Sequence, residues 1–302
     1  MTLRSLLFTP GDSLKKIEKG AAGPADALIL DLEDSVAEAN RPDARRLVHD
    51  FLAAHRERTR QQLWVRINPL DTPDARLDLA AVIAGRPDGI VLPKVHSSTD
   101  VTTLSHYLDA LEPAFDVPVG SVRILPVATE TAQAIFALGT YAGASPRLLA
   151  LTWGAEDLAA AIGASANRDA SGRLEFTYQM ARSLCLVGAA AADVAAIETI
   201  FPDFRNHVGL QAYANVARRD GFRGMMAIHP GQVEIINNAF TPSDDEIAWA
   251  TRVVAAFAGS TTGTVGLDGQ MLDMPHLKQA RRLLETARLK AQPTRASKGT
   301  PS

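Results

Sequence analysis

Short apolar runs, each closing on a polar or charged residue and each followed by a longer amphipathic stretch, recur along the chain. Eight are distinct: Ser5–Phe8, Ala27–Leu30, Leu63–Ile67, Gly89–Leu92, Val122–Val127, Leu148–Thr152, Ala195–Ile200 and Met225–Ile228. Their length is that of β-strands, and the stretches between them, such as Pro42–Arg56, Asp100–Leu111 and Thr131–Tyr141, are rich in Ala, Leu, Arg and Glu and read as crossover helices. Eight repeats of this kind predict an α/β protein whose parallel strands close into a (β/α)8 TIM barrel. An open doubly wound sheet would carry a glycine fingerprint after its first strand. Pro10-Gly11-Asp12-Ser13 is a single turn instead.

Beyond the eighth run the pattern changes. A helix is expected over Asp244–Ala258, a Gly- and Thr-rich turn over Gly259–Gly269, and a second helix over Pro275–Lys290. Leu267-Asp268-Gly269-Gln270-Met271-Leu272-Asp273-Met274-Pro275 reads as a hairpin or tight turn before a helix begun by proline, where a loop can close over a neighbouring site. The expected organisation is a catalytic barrel over residues 1–240, a C-terminal extension or lid over 241–291, and a polar, disordered tail over 292–302.

Composition narrows the function classes. At 302 residues and 46% hydrophobic content the chain can bury a large core, and its length fits either one α/β barrel or two ordinary domains. With 31 basic against 34 acidic residues it carries no electrostatic footprint for nucleic acid or an anionic membrane, so any phosphate binding falls to local basic clusters. A single cysteine, Cys185, excludes an intramolecular disulfide, and Met1-Thr2-Leu3-Arg4 lacks the apolar region of a signal peptide. A reducing cytoplasm is the expected compartment. No apolar run approaches the roughly 20 residues that span a bilayer.

In a barrel the residues that end the strands converge on one mouth, so they are read together. Two ends stand out, Ile124-Leu125-Pro126-Val127-Ala128-Thr129-Glu130 and Leu149-Ala150-Leu151-Thr152-Trp153-Gly154-Ala155-Glu156-Asp157. Both deliver a carboxylate after an apolar run, and carboxylates at successive strand ends can share a divalent cation. Magnesium, which takes a few carboxylates and keeps water or substrate oxygens elsewhere, suits such an open site. The other ends supply Thr9-Pro10-Gly11 followed by Lys15, Lys16 and Lys19, then Asp31-Leu32-Glu33-Asp34, Arg66-Ile67-Asn68, Pro93-Lys94 and His229-Pro230-Gly231. Each has a plainer reading. A strand-end acid also caps the following helix. Arg66, costly on an apolar strand, needs either a structural carboxylate partner or the role of a substrate clamp, and the clamp is favoured. His229 reads as a turn residue, the lysines as a solvated helix face, and Cys185 and the tryptophans as packing.

These residues also carry a family pattern: Arg4-Ser5-Leu6-Leu7-Phe8-Thr9-Pro10-Gly11, Leu30-Asp31-Leu32-Glu33-Asp34-Ser35-Val36, Val65-Arg66-Ile67-Asn68, Leu92-Pro93-Lys94, Glu130-Thr131, Trp153-Gly154-Ala155-Glu156-Asp157 and Ala227-Ile228-His229-Pro230. From about Arg4 to Lys290 the chain resembles the citrate lyase β-subunit-like group of the HpcH/HpaI aldolase family, which includes malyl-CoA and citramalyl-CoA lyases. The resemblance implies a TIM barrel that assembles as a homotrimer or hexamer, with Mg²⁺ as cofactor. It implies Glu130 and Asp157 as metal ligands, Arg66 as a substrate-binding and catalytic arginine, and a Glu130 that also faces the substrate. Asp273, in the C-terminal segment, matches an acid that family members acting on CoA thioesters often extend into an adjacent subunit's site. Lys15, Lys16 and Lys19 are the candidates for the CoA phosphates. Asp31, Glu33 and Asp34 would orient water on the metal or hold Arg66. The family's pyruvate-specific aldolases place a histidine base directly after a glutamate where this chain has Glu33-Asp34-Ser35, which argues against that branch.

The function so implied is Mg²⁺-dependent cleavage or formation of a β-hydroxyacyl-CoA, such as citramalyl-CoA or malyl-CoA, with acetyl-CoA and a 2-keto acid as the other partners. The alternatives are a citrate lyase β-subunit acting on citryl-acyl-carrier protein, a malate-synthase-like enzyme that also hydrolyses the thioester, and a non-catalytic ligand-binding barrel.

Overall fold

The computed structural model describes residues 3–260 and 263–291, so the tail expected over 292–302 lies outside the described residues. The chain divides into a larger unit, Leu3–Asn237, and a smaller one that begins at Asn238. Among the described residues no helix is long and apolar enough to cross a membrane.

The larger unit contains eight strands: β1 (Ser5–Pro10), β2 (Ala27–Asp31), β3 (Gln62–Arg66), β4 (Gly89–Leu92), β5 (Arg123–Pro126), β6 (Ala150–Thr152), β7 (Ala195–Glu198) and β8 (Gly224–Ala227). They form one parallel sheet in the order β5-β4-β3-β2-β1-β8-β7-β6. Bridges from Ile124 to Leu148 and from Val127 to Thr152 join the two end strands, so the sheet comes round into the (β/α)8 barrel that the apolar runs predict. Between and after the strands lie α1 (Leu14–Ala22), α2 (Arg41–Ala54), α3 (Pro73–Val82), α4 (Ser98–Ala114), α5 (Ala132–Ala137), α6 (Glu156–Ile162), α7 (Phe176–Ala191), α8 (His207–Asp220) and α9 (Pro230–Ala239).

Strands of a closed parallel barrel are buried on both faces, which is why they read as nearly continuous apolar runs. Leu6, Ile29, Trp64, Val91, Leu125, Ala150, Ile197 and Met226, one from each strand, point inward and fill the barrel. Neighbours such as Leu7, Leu28 and Leu30 are equally buried on the other side of the sheet. Two differences from the sequence reading affect the site. The seventh strand ends at Glu198 instead of running to Ile200, and the helix expected over Thr131–Tyr141 is helical only to Ala137, with a 3₁₀ turn over Leu138–Thr140. Gly139 and Thr140, both weak helix formers, fall in that turn.

The smaller unit packs α10 (Asp244–Ala258) against α11 (Met274–Ala291), with a hairpin of β9 (Thr264–Leu267) and β10 (Gln270–Asp273) between them in sequence. Ala250, Val253, Leu272 and Ala280 form its core. The hairpin turns on Asp268 and Gly269, both left-handed with φ of 52° and 75°, the conformation a two-residue Asp-Gly loop favours. Ser243 and Glu246 form a capping box that starts α10.

Candidate active site

At the ends of the barrel strands lies a cavity of about 400 Å³. Arg66, Glu130 and Asp157 line it, together with Asp31, Asp34 and Ser35. Phe8, Val127, Trp153, Ile200, Met226 and Ile228 give it an apolar wall.

Glu130 follows β5 and immediately precedes α5, whose first turn is capped by Thr131 accepting from the Ala134 amide at 3.1 Å. The same Thr131 hydroxyl donates to the Val95 carbonyl at 3.0 Å, tying the start of α5 to the loop after β4. Glu130 is only 5% exposed. Its Oε2 accepts the backbone N–H of Lys94 at 2.6 Å. Lys94 adopts a left-handed φ of 50°, unusual for a side-chain-bearing residue and found where surrounding structure imposes it. Burial, then the charge of Asp157, push the Glu130 carboxyl up to about 8.

Asp157 lies in the first turn of α6, where the helix dipole favours a negative charge. Between β6 and α6 the chain passes through Trp153, Gly154 and Ala155. A Cβ on Gly154 would come within 2.9 Å of Glu130 Cγ, so a glycine is needed for the β6 loop to lie this close to Glu130. The Gly154 amide donates to Thr129 Oγ1 at 3.1 Å.

Opposite this pair stands an ion cluster. Register pairs Asp31 at the end of β2 with Arg66 at the end of β3. Arg66 Nε and Nη2 donate to the two Asp31 oxygens at 2.6 and 2.7 Å, its Nη1 lies 2.9 Å from Glu33 Oε2, and its guanidinium sits over the Phe8 ring. Burial opposes the Asp31 charge, but the bonds from Arg66, Ser35 and Glu33 overcome it and hold the carboxyl below its ordinary range. Glu33 is pushed the other way by its burial, despite Arg66 and Lys94. The Lys94 ammonium bonds Glu33 and lies 3.3 Å from Asp34 and 3.2 Å from Asp157. Burial opposes the charge of Lys94, yet these carboxylates keep it firmly protonated.

The six acids and bases expected at the mouth, Asp31, Glu33, Asp34, Arg66, Glu130 and Asp157, are therefore brought together. Arg66 lines the cavity, yet two of its donors already serve Asp31. The acids at the end of β2 all lie within ion-pair distance of Arg66. Lys15, Lys16 and Lys19 are exposed on α1. Asp273 ends β10 in the smaller unit, with His276 Nδ1 at 2.5 Å from its Oδ1. That contact holds the Asp273 carboxyl below its ordinary range. His229 accepts the Gly231 amide at 3.1 Å and stacks on Phe204, the turn role expected of it.

Among the described residues no group of three or more His, Cys, Asp or Glu could enclose a metal ion. The donor set is instead an open pair, Glu130 and Asp157, whose mutual repulsion a divalent cation would relieve. One or two carboxylates, with the other positions left to water and substrate, is the arrangement Mg²⁺ favours.

Two residues of the site were not given roles by sequence reading. Lys94 was noted at its strand end, but its contacts with Glu33 and Asp157 depend on chain segments some 60 residues away. Glu198 lay inside an apolar run taken to extend to Ile200. Its signal is the one that marks Glu130, an acid that closes an apolar run, as Asp31 also does at the end of β2.

A family model described as HpcH/HpaI aldolase/citrate lyase matches residues 4–230. A Mycobacterium tuberculosis protein named citrate lyase subunit beta-like protein is 35% identical over 281 residues, covering 93% of this chain and 94% of its own. A (3S)-malyl-CoA thioesterase of Cereibacter sphaeroides is 34% identical over 291 residues, covering 94% of each. The crystal structure of M. tuberculosis CitE in complex with magnesium, acetoacetate and coenzyme A superposes with a TM-score of 0.77 at 34% identity, over 95% of this chain and 98% of that one.

Proposed function

From the premise that this chain belongs to the HpcH/HpaI aldolase/citrate lyase family, a family of carbon–carbon lyases, we propose that it is a Mg²⁺-dependent lyase acting on a β-hydroxyacyl-CoA thioester, with citramalyl-CoA or malyl-CoA as substrate. The observation that carries this reading is the pairing of Glu130 with Asp157 on the wall of a cavity that also exposes Arg66. Magnesium, acetoacetate and CoA bound to the M. tuberculosis relative supply the ligand chemistry.

Glu130 and Asp157 would hold the ion, which when bound would supply a Lewis acid for the oxygen that becomes the ketone. Cleavage passes the β-hydroxyl proton to solvent in the open cavity, breaks the carbon–carbon bond and leaves a thioester enolate that must be reprotonated. Arg66, already oriented by Asp31 and Glu33, presents positive charge to the anionic oxygens. Asp273 is the group proposed to exchange the proton at the acetyl carbon, on the strength of the family likeness of its segment. The His276 contact holds the Asp273 carboxyl below its ordinary range, which suits the base of the condensation direction. In cleavage Asp273 would first take a proton from solvent and then pass it to the enolate carbon. The lysines of α1 are proposed to meet the CoA phosphates, and the assembly is proposed to be a trimer or hexamer.

The second reading is a lyase whose condensation product is also hydrolysed, favoured by the likeness to a malyl-CoA thioesterase. A citrate lyase β-subunit acting on an acyl-carrier thioester is the third.

The deciding assay presents the purified chain and Mg²⁺ with malyl-CoA, β-methylmalyl-CoA, citramalyl-CoA and citryl-CoA, and follows acyl-CoA, keto acid and free thiol. Cleavage abolished by EDTA and restored by Mg²⁺ is expected. Free thiol would favour the hydrolytic reading, and silence with all four would favour the acyl-carrier substrate.

A further inference from the structure

Behind the cavity wall stands a carboxylate that no step above uses. Glu198, the last residue of β7, is fully buried. Its Oε1 accepts the indole N–H of Trp153 at 2.5 Å, the Thr199 amide at 3.0 Å and the Tyr213 hydroxyl at 3.1 Å. Its Oε2 accepts Arg182 Nε at 2.7 Å. Arg182 reaches from α7, is held in turn by Asp220 of α8 at 2.8 Å, and lies over the Phe222 ring.

An ionised carboxylate without partners would be costly at this depth, and Arg182 supplies the compensating charge. A merely structural ion pair needs no more than that. Here the carboxylate also takes the only donor that an indole possesses, from a residue 1% exposed whose side lines the cavity. It takes a second donor from the backbone of Thr199, another lining residue.

We propose that Glu198 is a positioning residue for this site: it fixes the Trp153 ring and the Thr199 backbone as one wall of the substrate cavity and, through Trp153, holds Gly154 against Glu130. The inference rests on the reading of this cavity as the lyase active site. The coupling to Glu130 is steric. Gly154 follows Trp153 in the chain and lies so near Glu130 that a single added carbon would collide with it. A ring free to tilt would let this loop move away from Glu130 and widen the cavity. Because the wall meets substrate before and during the reaction alike, its loss weakens binding more than it slows the chemical step.

The test is a double-mutant cycle of Glu198→Gln and Trp153→Phe, read by KM and kcat on the preferred thioester and by the dissociation constant of pyruvate in the presence of Mg²⁺. Trp153→Phe keeps the Glu198–Arg182 pair intact and guards against a Glu198 variant that fails to fold. Each single change is expected to raise KM and the pyruvate constant about tenfold with kcat within about threefold, and the double variant is expected to be within about twofold of the worse single one. The indole ¹H–¹⁵N resonance of Trp153, shifted downfield by the carboxylate in the parent, should move upfield in Glu198→Gln.

Multiplying effects, or a lowered melting temperature with unchanged KM and pyruvate constant, would overturn the proposal. A parent that turns over no thioester but binds Mg²⁺ and pyruvate would count against the lyase reading alone, and the cycle would still be decided by the pyruvate constants. A parent that binds neither would overturn both.

Discussion

Glu112 and Glu130 are two buried glutamates of one barrel, and they titrate in opposite directions. Glu112, fully buried near the end of α4, faces Arg147 at the N-terminal ends of the strands. Two Arg147 nitrogens reach its two oxygens at 2.7 and 2.6 Å, and the amides of Gly120 and Val122 complete its set. Burial opposes its charge, but these donors outweigh burial and bring the carboxyl below its ordinary value. Glu130, at the other end of β5, has one backbone donor and an acid for a neighbour, and it is pushed up to about 8. Both side chains are shielded from solvent, but burial weighs more on Glu130 and fewer donors oppose it. A saturated acid stabilises the end of the barrel that carries no chemistry, whereas an under-compensated one keeps an affinity for cations at the end that does.

Replacing Glu130 by Gln should break this comparison most sharply. The side chain keeps its shape but loses its charge, and turnover should fall by at least ~10³-fold, since a bound metal supplies several kcal/mol of transition-state stabilisation. Steady-state rates at saturating Mg²⁺ check this, and a rate within tenfold of the parent would remove Glu130 from the chemistry. Glu112→Gln should do the reverse. It leaves Arg147 without its buried counter-charge, for a loss of about 3–5 kcal/mol in urea unfolding, while the folded fraction turns over substrate at close to the parent rate.

The two acids also predict opposite responses to pH. Glu130 binds a proton in the folded protein between its ordinary value of 4.5 and about 8, so its contribution to the stability of the metal-free protein declines as pH rises through that window. Mg²⁺ must displace that proton, and its affinity should therefore rise by up to about tenfold per pH unit below 8 and level off above. Calorimetric titration at several pH values tests this. Glu112, being lowered, contributes stability above its ordinary value that is lost as pH falls through its folded value. The smallest effect expected is from converting Lys15, Lys16 and Lys19 together to Ala. KM for a CoA thioester should rise by a few-fold, about 1 kcal/mol or less per exposed charge, and the difference should shrink at high salt.

The barrel was legible because burial on both faces writes each strand as an apolar run, and because Glu130 and Asp157 close two of those runs. What depended on distant pairing was harder to read. Arg66 was favoured as a substrate clamp, yet its first partner is Asp31, placed beside it by the β2–β3 register across 35 residues. Glu198 was hidden by Thr199 and Ile200, which seemed to continue its strand, and its partners Trp153 and Arg182 lie 45 and 16 residues away. Asp109 and Glu112, three apart, look in sequence like any solvated helix face, and only the fold reveals that Arg147 joins them.

Lys94 gives the mouth of the barrel a tethered counter-ion. Its ammonium already stands among Glu33, Asp34 and Asp157, so the acid cluster is partly neutralised by the polypeptide itself. In small metal-dependent domains the ion itself supplies such compensation, and without it the chain is unfolded. A side chain that supplies it leaves these carboxylates less dependent on a bound cation, and an arriving divalent ion would compete with the leashed ammonium for Asp157.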